Sequence, residues 1–239
     1  MTSMRVGLVV GAAGGIGSAC AAALADAVDR LVLVDRRPIT ATAAIPGAED
    51  CSADIVTPEG REAVRAQVAR TGGRLAWAIL ASGEPLREGF QTAPSTMIER
   101  CFLVNLVAPV LLVRQLLDLS WEPNGQVIVI GSISASRALP NRTVYASAKA
   151  GLEHFGRALA AELAGRRLRC NVVAPGVIDT DFLGEDRSAL DDWVRHHVPM
   201  RRLGDRSEVA GVVRFLAQEA PEYLSGARIT VDGATEALG

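Results

Sequence analysis

Apolar residues fall in short, almost unbroken runs: "RVGLVV" (5–10), "RLVLVD" (30–35), "AWAIL" (76–80), "QVIVIG" (126–131), "RCNVVA" (169–174) and "ARITVD" (227–232). A run without polar alternation suits a strand covered on both faces, as in a parallel sheet. Longer amphipathic stretches between the runs predict helices over 15–27, 58–70, 95–119, 144–164 and 205–218. "GDRSEVAGVVRFLA" (204–217) carries helix-entry chemistry, with Asp205 or Ser207 as the N-cap and Glu208 in the first turn. The strand–helix alternation implies right-handed crossovers and an open, doubly wound α/β sheet. Segment 36–50, "RRPITATAAIPGAED", has weak periodicity and two prolines, and predicts a loop or short helix. Without a repeat, low-complexity tract or linker, 1–239 reads as one domain.

Composition narrows the class. A chain of 239 residues that is 49% hydrophobic can bury a sizeable core. A net charge of −2 offers no overall attraction to nucleic acid or an anionic membrane. No apolar run approaches the length expected of a membrane span, and the N-terminus leads into a first strand without the secretory order of segments. Cys20, Cys51, Cys101 and Cys170 form no C-x-x-C and read as small buried hydrophobes. The adjacent His196 and His197 have no H-E-x-x-H context, so no metal site is expected. The expectation is a cytoplasmic, soluble protein with a small-molecule partner.

The first chemical signal is "VVGAAGGIGSA" (9–19), in which a strand runs into Gly11, a turn holds Gly14, Gly15 and Gly17, and an alanine-rich helix follows. Glycines let the backbone turn tightly and approach a pyrophosphate, whose charge the free N–H groups of the helix N-terminus can hold. Asp35, at the end of the second strand, is placed to accept hydrogen bonds from the ribose of NAD and to repel a 2′-phosphate. Arg36 and Arg37 follow it and could reach such a phosphate, but NAD is expected over NADP. In "VYASAKA" (144–150), Tyr145 and Lys149 stand four apart on one helix face. Lys149 is the only lysine in the chain, the other 24 of 25 basic positions being arginine.

The spacing of Gly11, Gly15 and Gly17, G-x-x-x-G-x-G, resembles the short-chain dehydrogenase/reductase family. The resemblance continues through Asn105 in "VNLVAP", Ser132 thirteen residues before Tyr145, the Y-x-x-x-K pair and "NVVAPGVIDT" (171–180). It reaches "PMRRLGDRSEVA" and "LSGARITVDG" near the C-terminus. It implies a Rossmann domain with about seven parallel strands flanked by helices, and hydride transfer between nicotinamide and a secondary alcohol or ketone. Tyr145 would be the acid/base, Lys149 would bind the nicotinamide ribose, Ser132 would hydrogen-bond the substrate oxygen, and Asn105 would hold a relay water. A free tyrosine, with a pKa of about 10, needs a nearby positive charge to favour its phenolate. A lysine, compact and flexible, serves the ribose better than arginine's planar fork.

By the same resemblance the dinucleotide contacts are Gly11, Gly15, Ile16, Gly17, Asp35, Asp54, Ile55, Ala81, Gly83, Tyr145, Lys149, Pro175, Ile178 and Thr180. Asp54 also suits a cap for the segment after it. Residues 181–203 correspond to a substrate lid, in which Phe182, Leu183, Trp193 and Met200 either line the pocket or pack the lid onto the body. The resemblance further implies a homo-oligomer, a tetramer favoured, joined through 95–119 and 144–164 and the C-terminal strand region. Val10 stands where the family usually has threonine, "LASG" (80–83) replaces N-N-A-G, and Gly14 replaces the basic residue of many NADP-dependent members. Two other readings are open: an NADPH-dependent 3-oxoacyl-carrier-protein reductase, and a noncatalytic NAD-sensing or scaffold protein on the same fold.

Overall fold

The computed structural model describes residues 4–40, 45–183 and 187–238. Each apolar run forms a strand: β1 (Arg5–Val10), β2 (Arg30–Asp35), β4 (Arg74–Leu80), β5 (Trp121–Ile130), β6 (Arg169–Pro175) and β7 (Arg228–Val231), with β3 (Ala48–Ser52) in addition. They make one parallel sheet in the order β3-β2-β1-β4-β5-β6-β7. In β1, Val6, Leu8 and Val10 point into one core layer and Val9 into the other, as the two-residue period of a strand requires.

The first layer is closed by α2 (Pro58–Arg70), α4 (Ala108–Leu116) and α5 (Thr143–Leu163); the second by α1 (Gly15–Ala23) and α7 (Arg206–Gln218). Their ends follow local chemistry. Thr57 caps α2 by accepting a 2.9 Å bond from Gly60 N, ahead of Pro58. Of the two N-cap candidates for α7, Asp205 takes the position: it accepts from Ser207 N while Glu208 accepts from Asp205 N, at 2.7 and 2.8 Å. All four cysteines are buried and unpaired, and burial pushes the Cys20 and Cys170 thiols up to about 12.

Three expectations need correction. The segment 36–50 does not end as loop or helix, because its last residues enter β3, which pairs with β2 alone at the sheet edge. An edge strand needs little apolar sequence, and "AEDCS" buries only Cys51. The long helix over 95–119 is broken into α3 (Ser95–Phe102), a wider π turn (Leu103–Val107) and α4. Pro109 has no N–H to give the carbonyl of Asn105, and Ala108 N–H reaches back five residues to Leu103 O instead. This 95–116 stretch, with a mean hydropathy of 1.8, is also long and apolar enough to cross a membrane by length and composition. In the fold it lies against the sheet layer, with Ala108, Leu112, Val113 and Leu116 in the core.

Strand order reverses between β1 and β4, so the loops leaving their carboxyl ends part in opposite directions and open a crevice there. The site lies in that crevice.

Candidate active site

A cleft of about 750 Å³ runs across the carboxyl ends of β1, β2, β4, β5 and β6. Every dinucleotide contact named from the sequence, from Gly11 to Thr180, lines it. Gly11 turns the chain with φ +85°, and its N–H and that of Ala12 both donate to Val34 O. A Cβ on Gly17 would lie 2.1 Å from Gly11 O, so the turn closes only with glycine there. The first turn of α1 carries neither a side-chain cap nor an acidic residue, which leaves its N–H groups and positive dipole for an anion. The cradle fits a dinucleotide pyrophosphate.

Asp35 is buried at the end of β2, accepting from Ala13 N (3.0 Å) through Oδ2 and from Arg37 N (2.9 Å) through Oδ1. It braces the glycine turn as well as presenting a carboxylate to the cleft. Arg37 Nε also reaches Asp35, at 3.4 Å, and Arg36 is bound to Glu84 at 2.7 Å. Glu84 holds Arg100 through both oxygens as well, so one carboxylate gathers two arginines at the rim. Asp54 combines both of its readings: it lines the cleft, and its carboxylate accepts from Val56 N at 3.0 Å in the turn ahead of α2.

Ser132 follows β5, while Tyr145 and Lys149 project from α5 on one face. All three are buried and line the cleft. Lys149 Nζ donates to Ile130 O at 3.0 Å and lies 6.0 Å from the Tyr145 ring centre. Burial pushes Tyr145 up to about 12, against the pull of the Ser132 hydroxyl and the Arg142 guanidinium. Burial likewise brings Lys149 down to about 8, opposed by the Glu153 carboxylate. Arg142 is a further cation near Tyr145 that favours the phenolate, beside Lys149 6.0 Å from the ring.

Asn105, expected to hold a relay water, sits in the π turn. Fully buried there and outside the cleft lining, it donates to Glu84 O (3.0 Å) and Cys101 O (2.9 Å) and accepts from Glu84 N (3.2 Å). Its amide hydrogens are spent on backbone, clamping the segment after β4 beside Lys149, and only an Oδ1 lone pair remains for a further partner. The missing asparagines of "LASG" are in part replaced by this clamp from the neighbouring helix.

Glu153 was not among the candidates. It stands one turn beyond Lys149 on the same face of α5 and accepts from Ser132 N at 2.9 Å. Its other oxygen takes Arg228 Nε at 2.6 Å, and Arg228 also binds Glu236 at 2.7 Å. A Cβ on Gly131 would meet Glu153 Oε1 at 2.2 Å, so the glycine before Ser132 makes room for the carboxylate. The signal available in the sequence was an acid continuing the Tyr145, Lys149 spacing at a buried helical position.

Of the lid, residues 184–186 lie outside the described residues, and α6 covers Arg187–His197. Phe182, Leu183 and Trp193 line the cleft, the Phe182 ring 5.9 Å from that of Tyr145. Met200 does not: it is 62% exposed and packs beside Gly233, beyond the end of α6.

The fold and this site define a parallel-sheet dinucleotide-binding protein with a serine–tyrosine–lysine group at the cleft. A family model described as enoyl-(acyl carrier protein) reductase matches residues 11–235. The chain is 32% identical over 240 residues to human dehydrogenase/reductase SDR family member 2, mitochondrial, covering 96% of this chain and 85% of that protein. It is 44% identical over 109 residues to the 3-oxoacyl-(acyl-carrier-protein) reductase MabA of Mycobacterium bovis, a match covering 46% of this chain and 44% of that protein. A crystal structure of 3-oxoacyl-(acyl-carrier protein) reductase from Brucella melitensis in complex with NAD superposes with TM-score 0.92, 26% identity and 99% coverage of both chains. The chain belongs to the short-chain dehydrogenase/reductase family.

Proposed function

We propose that the protein is an oxidoreductase that interconverts a secondary alcohol and a ketone, with a nicotinamide dinucleotide as the hydride partner. The observation that carries this reading is the convergence of Ser132, Tyr145 and Lys149 in the cleft that the glycine turn opens. When bound, the dinucleotide supplies or accepts the hydride. Ser132 holds the substrate oxygen by its hydroxyl, and Tyr145 gives that oxygen its proton in reduction or takes it in oxidation. Lys149, a buried cation, binds the ribose and sustains the charge that a tyrosinate requires. The oxidised nicotinamide, positively charged, adds to the pull of Arg142 on Tyr145. Tyr145→Phe should lower kcat by roughly a hundred- to ten-thousandfold, a loss typical of a missing general acid/base, with NADH affinity unchanged. Near-normal turnover by the variant defeats the assignment.

The cofactor is NAD in this reading. Asp35 faces the cleft as a buried carboxylate, and Arg36, the first basic residue after it, is occupied by Glu84. Titration with NADH and NADPH tests it, and tighter NADPH binding would mean that Arg37 leaves Asp35 for a phosphate. A second reading, 3-oxoacyl-carrier-protein reduction, rests on the activity named for the mycobacterial and Brucella relatives. Turnover of a carrier-bound 3-oxoacyl thioester far above free ketones would favour it. We further assign the protein to the cytoplasm, in keeping with its four free thiols, and to a homo-oligomer. The half-exposed Val107, the last residue of the π turn, and Leu111 on α4 suit a contact with a second copy. Sedimentation of Leu111→Arg against the unchanged protein reads that contact.

A further inference from the structure

Around the reacting end of the cleft, two guanidinium groups have no carboxylate partner among the described residues. Arg142, the residue just before α5, is half-buried and lines the cleft within electrostatic reach of Tyr145. Among the described residues its guanidinium donates no hydrogen bond and forms no ion pair, and burial and the neighbouring charge of Arg87 both push its pKa down. Arg87 lines the same cleft, and among the described residues its guanidinium is held by a 2.5 Å bond from Nη2 to Phe182 O, where the lid begins.

The contrast with the other arginines of the site is sharp. Arg36 and Arg100 share Glu84, Arg37 has Asp35, and Arg228 has Glu153 and Glu236. Among the described residues, neither Glu88 nor Asp181 forms an ion pair with these two arginines. Glu88 accepts the backbone N–H of Arg87, at 3.2 Å, and Asp181 lines the cleft. Two like charges, one of them half out of water, stay costly until an anion joins them, and the arginine fork matches a carboxylate in two-point geometry. Because Arg142 neighbours Tyr145, that anion belongs to the reacting molecule. A 2′-phosphate would lie at Asp35, where Arg36 and Arg37 are the basic groups.

We propose that the substrate is an oxo acid, or the matching hydroxy acid, whose carboxylate is held by Arg142 and Arg87 while its reacting oxygen meets Ser132 and Tyr145. The apolar remainder lies against Phe182 and Trp193. In reduction the carbonyl carbon receives the hydride of the reduced dinucleotide and the oxygen receives the Tyr145 proton. The products are the hydroxy acid and the oxidised dinucleotide, and the carboxylate takes no part in the bond changes. The inference rests on the hydride-transfer reading above and names its substrate class.

The test pairs short-chain oxo acids with their methyl esters. The unchanged protein should prefer the acids in kcat/KM by about tenfold or more, the effect of a charge-assisted two-point contact. Arg142→Met should erase the preference by raising KM for the acids and not for the esters, any loss of kcat through Tyr145 falling on acids and esters alike, while Arg142→Lys restores part of the preference. Equal use of acids and esters, or a KM raised equally for both in Arg142→Met, overturns the proposal. Calorimetric titration of an acid and its ester into the NAD-loaded protein separates the two readings. Acid binding that is tighter than ester binding and weakened in Arg142→Met upholds the subsite even without turnover, in which case hydride transfer alone fails. Acid binding no tighter than ester binding overturns the subsite.

Discussion

Glu153 carries two bonds on which the tyrosine–lysine pair depends: one fixes the backbone of Ser132, the other joins α5 to Arg228 on β7. Its charge also raises both Lys149 and Tyr145. Glu153→Gln keeps an acceptor for Ser132 N and should retain most activity, while both limbs of the kcat/KM pH profile move to lower pH. Glu153→Leu strands a buried N–H and an arginine, and should cost about tenfold or more in kcat with NADH affinity kept. A pH profile unmoved by Glu153→Gln would reduce the residue to packing. Lys149 makes a separate prediction. Its folded value of about 8 lies below the ordinary 10.5, so the unfolded chain binds more protons between those values and stability gained through this group rises with pH across that window. Compared with Lys149→Met, the unchanged protein should gain roughly 3 kcal/mol between pH 7 and pH 10.5 in urea titrations. Residues with a chemical spacing, Tyr145 and Lys149, were legible in the sequence. Glu153 and Arg228 were not, because the bonds that join Glu153 to Ser132 and to Arg228 span 21 and 75 residues.

Among the elements, the glycine turn and α1 show how much one atom decides. On Gly17 a Cβ would strike the carbonyl oxygen of Gly11, a backbone group that cannot step aside, whereas on Gly14 it would stand 3.2 Å from the same oxygen with the conformation already open to any residue. Gly17→Ala should therefore abolish dinucleotide binding, and Gly14→Ala should retain it within severalfold, as read by NADH fluorescence titration. Equal affinities in the two variants would mean that the turn does not close around Gly11 O. Elements with two buried faces, such as β1 and β4, announce themselves by apolar runs. β3 does not, because its edge position asks for one buried cysteine, and the π turn does not, because it arises from the missing N–H of Pro109 within an otherwise helical pattern.

Over the whole molecule, the last strand must dock for the site to be complete, since Arg228 reaches from β7 to Glu153 and the C-terminal Glu236 holds it there. What docks that strand is a buried amide. Asn171 on β6 accepts from Ala227 N (3.0 Å) and donates to Leu224 O (3.0 Å) and Gln126 Oε1 (3.3 Å), tying β5, β6 and the chain leading into β7. Asparagine within an apolar strand read as part of a family motif in the sequence, and its structural office appears only when chain segments 45 and 56 residues away meet it. Asn171→Leu fills the space but leaves three polar groups without partners, each costing about 1 kcal/mol or more. Urea unfolding should then show a loss of roughly 3 kcal/mol or more. Because β7 loosens with it, kcat should fall along with stability even at temperatures where the variant is folded, and NADH affinity at the far end of the cleft should hold. Should kcat persist while stability drops, the strand would be shown to dock by its apolar face alone, and the path from Asn171 through Arg228 to Ser132 would be broken.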